Sequence, residues 1–146
     1  MKFKNILPYV FSAGLSASCS YLPKPFEGVS TAQVERMHPG PAFRTWWKEL
    51  SDCSGLSRSF DSIQWFHVKK DFIPCDNSET GLCAGIWLPP DSIFLPNRIL
   101  SSLNLQLTFA DFYKAEGVVK HELFHYLRDN PEHPDNFYIC GVTNGF

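Results

Sequence analysis

The segment TFADFYKAEGVVKHELFHYLRDNP constrains this chain more than any other part of it. From Phe109 to about Asp129 it holds no proline, and Pro131 then ends any helix, with Asn130 pushed out of helical geometry. Thr108 stands three residues before Asp111, the spacing of a capping box. Phe112, Ala115, Val119, Leu123, Tyr126 and Leu127 recur at the helical period and predict one buried side. His121 and His125 fall roughly opposite, which predicts a second side turned to a cleft. A helix of that length is about 30 Å long. In a chain of 146 residues, enough for one core, everything else must pack around it.

Three further patterns say what packs. Pro41 suits a first helical turn and Gly55 an exit, and between them Phe43, Trp46, Trp47 and Leu50 share a face. SIQWFHVKK, rich in β-branched and aromatic residues, predicts a strand. AGIWL and SIFLP predict two short strands joined through PPD, and NRILSSLN a short helix capped by Asn97. Asp71 to Thr80 is turn-rich. The expected class is α+β: a short mixed or antiparallel sheet packed on the long helix and an N-terminal helix.

The N-terminus carries an address rather than a fold. Lys2 and Lys4 precede a mostly apolar run from Ile6 to Ala17, as in a bacterial secretory signal. LSASC resembles a lipoprotein signal box, which makes Cys19 the expected lipidated residue of an exported protein. The expected layout is a signal peptide over 1–18, a proline-containing tether over 19–30 and one domain over 31–146. The expected location is a bacterial membrane, facing the periplasm or cell exterior. Of five cysteines, lipidation of Cys19 leaves Cys53, Cys75, Cys83 and Cys140, enough for two disulfides in any of three pairings. CDNSETGLC suggests a local Cys75–Cys83 loop, with Cys53 and Cys140 left to each other. The net charge is −2, and losing Lys2 and Lys4 with the leader makes it −4. No basic patch of the kind nucleic acid requires is present.

The long helix also carries the chemistry. His121-Glu122-Leu123-Phe124-His125 places two imidazoles one turn apart, about 6 Å along the axis and on one face. Two such rings can converge on one ion at roughly 2.1 Å each. Glu122 points about 100° away, where it could take a proton from a metal-bound water. A third ligand must come from the short remainder of the chain. A distant glutamate on a later helix does not fit there. The metzincin positions hold Arg128 and Pro131, and no methionine follows. Asp129 would lie about 9 Å along a straight helix from a metal centred between the two histidines, too far for a short side chain. His133, beyond the break at Asn130-Pro131, is the expected third ligand, with Asp135 the alternative and Asp129 an acceptor that orients a ligand.

From about Gly81 to Cys140 the chain resembles a minimal zincin metallopeptidase. The tail HELFHYLRDNPEHPDNFYIC also resembles bacterial exported proteins of undefined activity that carry the same histidine motif, a His-Pro pair and a nearby cysteine. The resemblance implies a zincin-like domain and a zinc site of His121, His125 and His133. It further implies a hydrolase with Glu122 as general base and a peptide or protein as substrate. Tyr126, Tyr138 and His67 are candidate oxyanion stabilisers. The alternative is a non-catalytic zinc-binding lipoprotein acting as a binding or structural module. A plain interaction module with a fortuitous motif is the third reading.

Overall fold

A computed structural model describes residue 26 and residues 28–75, 79–105 and 109–143. The expected signal peptide, Cys19 and the capping Thr108 lie outside the described residues. Pro41–Ser54 forms helix α1. Pro41 fits its first turn, and Gly55 leaves it at φ 72°, a left-handed conformation that glycine adopts without a Cβ clash. Gln64–Val68 is β2, Ile86–Leu88 is β5 and Ser92–Pro96 is β6. Asn97–Leu105 is α2 and Phe109–Arg128 is α3. Three strands are additions to the sequence reading: β1 (Val34–Arg36), β3 (Ile73–Pro74) and β4 (Leu82–Cys83).

The main sheet is mixed, in the order β1-β2-β6-β5. β2 and β6 run parallel with Phe66 opposite Phe94, while β1 and β5 flank them antiparallel. β3 and β4 form a separate antiparallel pair beside the Cys75–Cys83 disulfide. The period of two along β6 sorts its side chains. Ile93 and Leu95 join the cluster under the helices, and Phe94 joins a second cluster with Val68 and Ile73. Phe26 and Val29 belong to that second cluster, so packing begins inside the stretch read as a tether.

α1 buries Phe43, Trp46 and Leu50 against the sheet and α3. Lys120 Nζ fixes the α1–α3 contact, reaching Glu49 at 2.9 Å and Glu116 at 2.7 Å. α3 departs from the expected two-sided pattern. Val118, Glu122 and His125 are buried along with Val119, Leu123 and Leu127. The side expected to face a cleft is covered by β5 and by the chain after Arg128. Among the described residues, no helix is long and apolar enough to cross a membrane.

Candidate metal centre

The chain leaves α3 through Asp129, which adopts a left-handed φ of 54°. The N–H of Asn130 donates back to the carbonyl of His125 at 3.3 Å. Arg58 closes the helix end from outside. Its guanidinium donates to the carbonyls of Tyr126 (2.7 Å) and Pro90 (3.1 Å) and pairs with Asp129 at 3.1 Å. A cation at a helix C-terminus is favourably placed against the exposed carbonyls. Beyond the exit, Glu132 N–H donates to Asn130 Oδ1 at 2.7 Å, and the chain doubles back along the helix.

That return brings three histidines together. The Nε2 atoms of His121 and His125 are 3.1 Å apart, and His133 Nε2 lies 2.9 Å from each. The tautomers follow from the other ring nitrogens. His121 Nδ1 faces the carbonyl of Thr143 at 3.0 Å, and His125 Nδ1 faces that of Asn130 at 2.8 Å. A carbonyl can only accept, so both Nδ1 atoms carry the proton and donate. Both Nε2 atoms then present bare lone pairs to each other. A hydrogen on His133 Nε2 could serve one neighbour, and the His121–His125 contact would still hold no hydrogen. A cation in the centre relieves all three contacts at once.

The triangle fits such an ion. His121, His125 and His133 would hold a divalent ion through their Nε2 atoms, which lie close enough together for all three to reach one ion at the usual metal–nitrogen distance of about 2.1 Å. The surroundings hold the rings neutral, the form that ligates. Phe137, fully buried, lies 4.6–4.9 Å from all three ring centres. Trp87 stacks on His125 at 6.1 Å. Burial lowers the affinity of His121 and His133 for a proton and takes His125 down to about 4. The described residues thus define a small α+β domain with a three-histidine site able to hold a divalent metal such as zinc. Protein-family models, curated proteins and solved structures all yield no match to this chain.

The geometry corrects the hydrolase reading. The group that gathers within 4.8 Å is His121, His125 and His133, with no acidic residue in it. Glu122 is 6 % exposed, and its carboxyl is turned to β5, where the Trp87 backbone N–H donates to it. Burial pushes its pKa up to about 8 against the pull of that N–H. It is packed between helix and strand, and the gathered cluster holds no acid placed to serve as general base. The zincin metallopeptidase assignment, with its peptide hydrolysis, falls with it. Of the three expected oxyanion stabilisers, two are engaged elsewhere and one lies beside the cluster. Tyr126 is buried and its hydroxyl donates to Ser59 O at 2.6 Å. His67 is held between Glu35 (3.0 Å) and Asn97 (2.6 Å). Tyr138 is exposed and stacks on His133. Asp135 is exposed and outside the cluster, and Asp129 pairs with Arg58 rather than orienting a ligand.

Sequence reasoning missed the groups that do the orienting, the carbonyls of Asn130 and Thr143. It also missed Gly85. A Cβ there would meet Glu122 Cγ and Val118 Cγ1 at 3.0 Å, so glycine lets β5 lie this close to α3 without displacing either side chain. Gly85→Ala is expected to destabilise the chain by about 1–3 kcal/mol in urea unfolding.

The buried acid makes a pH prediction. In metal-free protein the folded Glu122 carboxyl ionises near 8, against an ordinary value of 4.5. A raised folded-state value means that stability present below pH 4.5 is lost as pH rises toward 8. Glutamine does not titrate. The stability of wild type relative to Glu122→Gln, measured in chelator, should therefore fall steadily across that window. A difference flat with pH would remove the buried neutral acid.

Proposed function

We propose that this chain is a non-catalytic zinc-binding module of an exported, lipid-anchored protein, in which the ion ties the C-terminal tail to α3. The observation that carries this reading is the convergence of three Nε2 atoms, two of them fixed as bare lone pairs by Nδ1–H bonds to carbonyls. Neutral imidazole nitrogens suit zinc among the divalent ions, and three protein ligands leave it a further position. Bound there, the ion supplies a crosslink between helix and tail. The absence of a carboxylate from the cluster favours holding over hydrolysis. The Cys53–Cys140 and Cys75–Cys83 disulfides suit an oxidising compartment, and Cys19 is the cysteine left for lipid.

Elemental analysis of the purified full-length chain tests the metal. About one zinc per chain is expected, and the melting temperature should rise on zinc addition. A chain that purifies metal-free and melts identically with and without zinc would falsify the reading. The anchor is tested separately. Cys19→Ser should abolish incorporation of labelled fatty acid and move the protein from the membrane to the soluble fraction.

A further inference from the structure

We infer that the Cys53–Cys140 disulfide sets the metal affinity of the histidine cluster, so that thiol redox state and metal occupancy are coupled. This rests on the metal-binding reading above. Cys140 lies between the two tail residues on which the cluster depends. His133 contributes its Nε2, and Thr143 contributes the carbonyl that orients His121. Cys53 sits in the last turn of α1, and α1 is clamped to α3 through Lys120. The disulfide thus closes a loop from α3 through the tail to α1 and back.

The backbone at Cys140 gives a second, independent reason. Cys140 and Gly141 adopt successive left-handed conformations, at φ 60° and 75°. Glycine accepts this freely, but a cysteine Cβ crowds the following carbonyl. The tether to Cys53 and the Val142 N–H bond to the Ile139 carbonyl (3.1 Å) together close the turn that places Cys140 there. Once the tether is cut, one backbone hydrogen bond is left to hold the turn against the cost of the left-handed Cys140. Thr143, three residues on, then loses its position against His121. Phe137 and Val142 remain buried, so the tail stays near and affinity weakens rather than vanishing. The other disulfide is a built-in control. Cys75–Cys83 spans eight residues beside β3 and β4 and shares no residue with the cluster or the tail.

The redox step is ordinary thiol–disulfide exchange. A dithiol reductant attacks one sulfur, the S–S bond breaks and a mixed disulfide forms. The second thiol of the reductant then resolves it, giving two cysteine thiols and one cyclic disulfide. By linkage the coupling runs both ways, so bound metal must make the bond harder to reduce by the same factor.

The test uses the full-length chain. Zinc affinity is read by competition with a chromogenic chelator for wild type, Cys53→Ser/Cys140→Ser and Cys75→Ser/Cys83→Ser. The first pair should bind at least about tenfold more weakly, a typical coupling. The second should stay within about twofold. A second measurement needs no substitution. Wild-type protein is equilibrated with and without zinc in mixtures of a dithiol and its cyclic disulfide, and the fraction of Cys140 present as thiol is read by maleimide labelling and mass spectrometry. Zinc should lower the equilibrium ratio of thiol to disulfide at Cys140 about tenfold and leave the ratio at Cys83 unchanged. Equal thiol-to-disulfide ratios at Cys140 with and without zinc overturn the coupling while leaving metal binding intact, and they decide the matter if the serine pair does not fold. Failure of wild type to bind zinc instead overturns the metal reading itself.

Discussion

Replacing His133 with alanine should weaken zinc binding by about a hundredfold or more, while Asp135→Ala and Asp129→Ala leave it nearly unchanged. Loss of a group that merely orients a ligand already costs about 10–100-fold, and His133 is a ligand. Its Nε2 sits 2.9 Å from both partners, so its removal opens one corner of the triangle. Two imidazoles on one helix remain, and they chelate weakly. Because His133 is itself exposed, its truncation should leave the metal-free fold nearly as stable as wild type. Calorimetric titration and metal-free melting curves together separate a ligand from a packing residue. Unchanged affinity in the variant would remove His133 from the site.

Phe137→Ala should give the largest loss of stability of any single tail substitution, about 3–5 kcal/mol. Phe137 is fully buried and touches Phe124 as well as the three imidazoles. Truncation leaves a cavity beneath the rings and admits water to them. The same substitution should therefore weaken zinc binding, although Phe137 supplies no ligand atom. Denaturant unfolding in chelator reads the first effect and a competition assay the second. A variant that loses stability but keeps full affinity would show that the rings are held by their carbonyl partners alone.

The parts of the fold legible in the sequence are those with a period. α1, α2 and α3 announce themselves by apolar spacing and by Pro41, Gly55 and Pro131. β2, β5 and β6 are short but dense in branched and aromatic residues. β1, β3 and β4 have two or three residues each, too few for alternation to register. Their pairing is dictated by neighbours distant in sequence, as when Val34 finds Val68. The same limit governs the site. The histidine spacing could be read directly, and the break at Asn130-Pro131 pointed to a returning tail. The orienting groups could not be read, because they are backbone carbonyls that any residue supplies. Nor could the place of Glu122. A helical wheel gives its angle from the histidines, but only the approach of Gly85 and Trp87 shows that this angle points into packed protein.

Phe26 has a consequence for distance. It is 2 % exposed in the cluster on the sheet face away from the helices, so the domain takes hold of its chain there and not at residue 30. On the lipid-anchored reading, the leash runs only from Cys19 to Phe26. Fully extended, that stretch spans at most about 25 Å. On that proposed reading the domain would stay close to the bilayer. It would work within roughly its own width of the membrane surface, on partners embedded there or resting against it.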